Sequence, residues 1–269
     1  MESIKSGYAR LDDKGIIKKG ALTMIYSRPG MGKSALLRNL FVNIISQIPQ
    51  PRCLYFSMEE YKNDVCQKMV AIKSGVPLDK EYWDKRYKSV LQKKEEQAQA
   101  WLEKKWNEGN DVIDDVESVA NMILCIAERK LRYGLDVVFI DYLQLIQGYA
   151  DDRCGVLAIL KEMAIRLDIA VVVTSQMWGQ KDDGYRIECI NTKESSVADV
   201  VIVLHRPKLN AILEGEETDG REDNAQLFVV KKRKKEYAVI DLGFDNKALR
   251  FYPFENKDVV EEPVWDIEI

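Results

Sequence analysis

Residues 21–45, ALTMIYSRPGMGKSALLRNLFVNII, constrain the fold more than any other part of the chain. The first six residues are apolar enough for a buried strand, and Leu36, Leu37, Leu40, Phe41 and Ile44 recur at helical spacing. Between them, SRPGMGKS (27–34) follows the spacing G-x-x-x-x-G-K-[ST], except that Ser27 stands at the first glycine position. In a loop of that spacing successive backbone N–H groups aim at phosphate oxygens, the lysine reaches the outer phosphates and the hydroxyl reaches Mg2+. The helix that follows adds the positive end of its dipole. Gly32, Lys33 and Ser34 fill the last three places, Pro29 and Gly30 supply turn chemistry, and small Ser27 suits a strand exit that needs no positive φ. Ser27, Arg28, Pro29, Gly30, Met31, Gly32, Lys33, Ser34 and Ala35 are therefore the candidate nucleotide-binding residues.

Four further apolar runs, CLYF (53–56), DVVFI (136–140), IAVVVT (169–174) and DVVIVL (199–204), are continuous rather than alternating, as strands covered on both faces require. Helical patterns separate them. Residues 116–133 set Val119, Met122, Ile123 and Ile126 on one face, with Asp114 and Glu117 spaced as a capping box, and residues 156–167 repeat the pattern. The alternation predicts an α/β fold, a mostly parallel twisted sheet with helices on both faces. After residue 226, LFVVKKRKKEYAVIDLGF reads as two strands joined by a basic turn, a C-terminal β-hairpin that closes the sheet. Residues 77–110 are charged, with Trp83, Trp101 and Trp106 interleaved. They read as solvated helices whose tryptophans dock on the domain, with base stacking as the alternative.

A chain of 269 residues with 46% hydrophobic content can bury one large core, so residues 1–254 are expected to form one domain and 255–269 an acidic tail. That tail carries six acids against one base; the net charge of −4 leaves the remainder close to neutral. Such a body can hold DNA in a local groove or channel but cannot coat it over a broad surface. The five cysteines show no C-x-x-C spacing, which argues against a zinc site or redox motif and suits a reducing, cytoplasmic compartment. The N-terminal segment has no signal-peptide core, and no apolar run reaches the roughly 18 residues of a membrane span. Neither secretion nor membrane insertion is expected.

In open parallel sheets ligands bind beyond the carboxyl ends of the strands, so the residues there carry the chemistry. VVFID ends in Asp141, suited to holding Mg2+ directly or through water. CLYFSMEE ends in Ser57, Met58, Glu59 and Glu60, where a carboxylate can polarise an attacking water or cap the next helix. AVVVTSQ ends in Thr174, Ser175 and Gln176, polar groups that either sense a γ-phosphate or open a solvated loop. His205, at another strand end, is given no role.

Taken together, residues 5 to 251 resemble the C-terminal motor domain of DnaB-type replicative helicases, a RecA-like P-loop NTPase fold. SRPGMGKSA is similar to that family's phosphate loop, whose first position is commonly alanine, which accounts for Ser27. YFSMEE resembles the strand ending in Ser-Leu-Glu, implying that Glu59 activates water, and VVVTSQ resembles the γ-phosphate-sensing strand with Gln176 as sensor. FIDYLQLI (139–146) is the most specific match and implies Mg2+ on Ser34 and Asp141. TKESSVADVVIVLHR (192–206) resembles the DNA-binding loop, implying contacts from Lys193, Glu194, Ser195 and Ser196. The pattern Lys-x-Arg at Lys231 and Arg233 resembles the finger that enters a neighbouring subunit's ATP.

Family helicases carry an N-terminal domain and a linker helix, whereas this sequence begins at the motor domain. The segment after LIQG is also shorter than usual. The resemblance implies a helicase or translocase that hydrolyses MgATP on single-stranded DNA during replication, as a homo-oligomer and potentially a hexameric ring, without a membrane. The acidic tail is either disordered or a dock for a replication partner. Two alternatives remain open: a RecA-like ATPase that does not unwind and serves as a loader, regulator or recombination accessory, and an ATP-dependent binding module without turnover.

Overall fold

The computed structural model describes residues 2–116, 118–177, 192–215, 224–232 and 237–253. The elements run α1 (Ala9–Lys14), β1 (Leu22–Ser27), α2 (Lys33–Ile45), β2 (Cys53–Ser57), α3 (Lys62–Ser74), α4 (Lys88–Asn107), β3 (Asp111–Ile113), α5 (Val119–Tyr133), β4 (Val137–Asp141), α6 (Arg153–Leu167), β5 (Ala170–Gln176), α7 (Thr192–Val197), β6 (Val200–His205), α8 (Pro207–Glu214), β7 (Asn224–Lys232), β8 (Ala238–Asp245) and β9 (Arg250–Pro253). The strands form one sheet in the order β3-β2-β4-β5-β1-β6-β7-β8-β9. From β3 to β6 all neighbours are parallel; β7, β8 and β9 add antiparallel.

Successive side chains on a strand point to opposite faces, and the continuous apolar runs use both. Tyr55, Phe139, Val172 and Ile202 face one core with α2, α3 and Leu102 of α4. Leu54, Val138, Val173 and Val201 face the other with α5 and α6. Helices therefore cover both sides of the parallel sheet, as the sequence pattern requires.

Three local expectations need correction. The helix over 119–133 is capped by Ser118, whose hydroxyl accepts from the Asn121 N–H, and not by Asp114. Asp114 instead accepts from the Lys62 N–H at 2.7 Å, tying the start of α3 to this loop, and Glu117 lies outside the described residues. The C-terminal hairpin gains a third strand, because the turn after β8 returns the chain so that Phe251 pairs with Phe244. Finally, β3 was not foreseen. Its three residues, only one of them buried, are too few to make a pattern, and β2 supplies the register.

The tryptophans of residues 77–110 dock on the domain. Trp83 is buried and donates its ring N–H to the Pro77 carbonyl, Trp106 lies 6.0 Å from Phe41 between ring centroids, and the Lys73 ammonium sits 4.3 Å above Trp101. Trp101 and Trp106 thus pack, half-buried, against the core that α2 and α3 cover, as docking requires. His205 closes β6 with its ring 6.4 Å from that of Phe228. Leu102→Ala should therefore destabilise the domain by about 2–5 kcal/mol, read from equilibrium denaturation. A change near zero would mean that α4 does not belong to the core.

Candidate nucleotide-binding site

The loop after β1 takes the form that its glycines allow. Gly30 and Gly32 sit at φ of 76° and 94°, in the left-handed region, and Gly32 is the N-cap of α2. Ser27 has no positive φ and its hydroxyl donates to the Arg28 carbonyl at 2.8 Å, so a side chain is tolerated at the strand exit. Met31 and Ala35 are buried, and Arg28 donates to Asn210 of α8 at 2.7 Å. These three side chains brace the loop; what they can offer a ligand is backbone.

Lys33 begins α2 and is buried, at 9% exposure. Burial lowers its pKa from the ordinary value, opposed by the negative charges of Asp141 and Glu59. Among the described residues no carboxylate closes on it as an ion pair, so the ammonium at the positive end of a helix is short of negative charge. Ser34, next along the helix, donates its hydroxyl to Oδ1 of Asp141 at 3.1 Å.

Strand parity explains why Asp141 is there. Asp141 continues the Val137, Phe139 set on the α2 side of the sheet, and the same parity carries Tyr55 on β2 and Thr174 and Gln176 on β5. Thr174 donates to Oδ1 of Asp141 at 2.8 Å, and the Tyr55 hydroxyl donates to Oδ2 at 2.7 Å. Thr174 is thereby a buried brace for this carboxylate and not the start of a solvated loop.

Glu59 is exposed in the turn after β2, where its charge acts on both Lys33 and Tyr142. Its neighbour Glu60 has a different task. Glu60 pairs with buried Arg38 of α2 at 2.9 Å and with Lys68 of α3 at 2.6 Å. Its N–H donates to the Ser57 hydroxyl, which donates to its carbonyl at 2.6 Å. Neither glutamate caps α3, whose N-cap is Tyr61 without a side-chain bond. Burial works against the Glu60 charge, yet Lys68 and Arg38 together hold its pKa below the usual carboxylate value.

At the end of β5, Gln176 pairs with Ser27 in register, and its backbone is gripped by Gln144. The Gln144 amide donates to the Ser175 hydroxyl at 2.9 Å and the Gln176 carbonyl at 3.1 Å, and accepts from the Gln176 N–H at 3.3 Å. Sequence reasoning missed Arg38, Tyr55 and Gln144. A charge inside the apolar pattern of α2, four residues after Ser34, was the available signal for Arg38.

The four candidate contacts on α7 divide. Lys193 and Ser196 face solvent and Ser195 is half-buried, but Glu194 is buried at 3% exposure. Arg153 of α6 meets it at 3.2 Å and Tyr26 of β1 donates to it at 3.4 Å. Burial first, and then the Glu194 charge, push Tyr26 and Tyr149 up, so both phenols stay protonated. The expectation that Glu194 touches a DNA phosphate is corrected: it faces inward, and a carboxylate would repel a phosphate. Lys231 belongs to β7, while Arg233 and the tail of residues 255–269 lie outside the described residues.

Among the described residues no group of three or more His, Cys, Asp or Glu side chains could hold a metal ion. The paired Ser34 hydroxyl and Asp141 carboxylate instead fit Mg2+, which keeps water and phosphate oxygens and needs few protein ligands. No helix among the described residues is long and apolar enough to cross a membrane.

A parallel sheet with a glycine-lysine-serine loop at its central strand, a carboxylate at the end of the strand one removed from it and helices on both faces defines a RecA-type P-loop domain. Comparison with known proteins narrows this. The DnaB-like helicase C terminal domain family matches residues 3–253, and the chain belongs to it. A probable plasmid replicative DNA helicase of Chlamydia trachomatis is 25% identical over 262 residues, covering 93% of this chain and 54% of the relative. The replicative DNA helicase DnaB of Treponema pallidum is 27% identical over 267 residues, covering 92% and 55%. The chain thus spans about half the length of the curated relatives it matches. Two solved structures share the fold at 20% identity. One is a DnaB-like replicative helicase described with its interactions with primase (TM-score 0.80, 94% of this chain and 62% of that one); the other is described as an ATPase domain (TM-score 0.78, 94% and 92%).

Because the Glu60 pKa is depressed in the folded chain from 4.5, its stabilising effect is present above that value and fades as pH falls through the folded value. Glu60→Gln should lower stability by about 1–3 kcal/mol at neutral pH, with the gap in Tm from the parent closing in acid. A gap independent of pH would contradict the charge pairing.

Proposed function

We propose that this chain is an ATP-hydrolysing motor of the DnaB helicase type, moving on single-stranded DNA. The observation that carries the reading is the buried, under-neutralised Lys33 ammonium at the N-terminus of α2, with the Ser34 and Asp141 pair beside it and Glu59 within electrostatic reach. A triphosphate supplies the negative charge that this arrangement lacks. Loop N–H groups and Lys33 would cradle the phosphates, Ser34 and Asp141 would hold Mg2+, and Glu59, free of the ion pairs that occupy Glu60, would orient the attacking water. Mg2+ when bound would neutralise phosphate charge as the leaving group departs. Gln176, held by its backbone, would sense the γ-phosphate.

Lys193, Ser195 and Ser196 are the proposed DNA contacts, supported by the exposure of Lys193 and Ser196 on α7 and by family membership. Lys231 and Arg233 are proposed to complete a neighbouring subunit's site, which requires a homo-oligomer, and a ring is the simplest closed form. The acidic tail is proposed to meet a replication partner.

Lys33→Ala should lower the rate of ATP hydrolysis at least 10²-fold, in line with the loss of one transition-state contact, while near-UV circular dichroism stays unchanged. In the parent protein, single-stranded DNA should stimulate hydrolysis and bind more weakly as salt rises, with Lys193→Ala reducing both. Full turnover by Lys33→Ala would overturn the site, and a salt-independent affinity would overturn the DNA reading.

A further inference from the structure

The side of Asp141 turned away from Ser34 is as closely built as the side facing it, and the nucleotide reading gives it no task. Oδ2 receives the Tyr55 hydroxyl at 2.7 Å and lies 3.9 Å from Nη2 of Arg38. We propose that Arg38 and Tyr55 are positioning residues that clamp Oδ2 of Asp141 and so hold Oδ1 beside Ser34 for Mg2+. This rests on the nucleotide-site reading above.

Three observations favour a positioning role over simple core stability. Ser34 and Arg38 are four residues apart on α2, so one helix face presents a hydroxyl to Oδ1 and a guanidinium towards Oδ2. A carboxylate held from only one side can turn about its Cβ–Cγ bond; donors on both oxygens fix its plane. Second, Arg38 is a poor choice for stability alone. It is 4% exposed, and its Nε is buried without a hydrogen-bond partner among the described residues. A buried charge with an unmet donor costs free energy that an apolar residue in α2 would not. Third, the same guanidinium holds Glu60, whose backbone is bonded to Ser57, and so bears on the turn that carries Glu59. Tyr55 itself is locked among aromatic rings, with centroids 5.9 Å from Phe41 and 6.4 Å from Phe139, so its hydroxyl has one direction to point.

The test is binding of a non-hydrolysable ATP analogue by calorimetry, with and without Mg2+, which needs no turnover. Tyr55→Phe removes one oxygen and keeps the ring; Arg38→Met keeps the volume. Each should reduce the Mg2+-dependent gain in affinity about 10-fold or more, the size expected when a supporting partner of a metal ligand is lost, and leave Mg2+-free affinity unchanged. The double variant Arg38→Met, Glu60→Met removes the ion pair whole, so it serves even if Arg38→Met alone folds poorly. It should stay as deficient as Tyr55→Phe. Recovery of the parent's Mg2+ gain in the double variant would show that Arg38 only neutralises Glu60, and a parental gain in Tyr55→Phe would remove Tyr55; either result overturns the proposal. Absence of any Mg2+ gain in the parent would instead overturn the metal site, and the proposal with it.

Discussion

One carboxylate organises the centre of this molecule. Asp141 ends β4, between β2 and β5 in the parallel part of the sheet, and hydroxyls from α2, β2 and β5 all donate to it. It is therefore the point at which the helix after the phosphate loop is registered against three strands. Holding an acid there is costly in desolvation, and so is burying Lys33 and Arg38 on the same helix. Apolar contacts of Leu37, Leu40, Phe41 and Ile44 seat the helix and offset that cost, leaving the charges to determine how its first turns are used.

The charges are not equivalent. Arg38 is matched by Glu60 and Asp141, which overcome the cost of burial and raise its pKa above the ordinary value. Among the described residues Lys33 has no such matching partner, and burial lowers its pKa. Among the described residues, one helix thus carries an ion-paired cation within the core and an unpaired one at its tip. The first holds neighbouring carboxylates in place, and the second is where an anionic ligand gains most. The two consecutive glutamates divide in the same way: Glu60 is engaged by two cations and its own backbone bonds, while Glu59 remains exposed at the mouth.

From the site, two polar clusters extend towards the segments proposed to meet DNA. Gln144 joins the residues after Asp141 to the backbone of Gln176, and Glu194 joins α7 to β1 and α6 through Tyr26 and Arg153. In the proposed motor these contacts would connect the γ-phosphate end of the site to the exposed face of α7. Inward-facing Glu194 would anchor that helix, leaving Lys193 and Ser196 to the nucleic acid.

Much of the fold and part of the site were legible in the amino-acid sequence because they depend on local pattern. Continuous apolar runs mean strands covered on both faces, helical spacing means a covering layer, and the spacing of Gly30, Gly32, Lys33 and Ser34 is dictated by one loop and the helix that it caps. Parity along a strand even determines that Asp141, Thr174 and Gln176 share a face with the helix, once the strands are in register. Register itself is not local. That Tyr55 lies diagonally below Asp141, that Arg38 reaches Glu60 and not solvent, that Gln144 grips another strand's backbone and that Glu194 turns inward were decided only by packing. Each joins residues far apart in the chain, and only the assembled sheet and its covering helices bring such partners within a hydrogen bond's length.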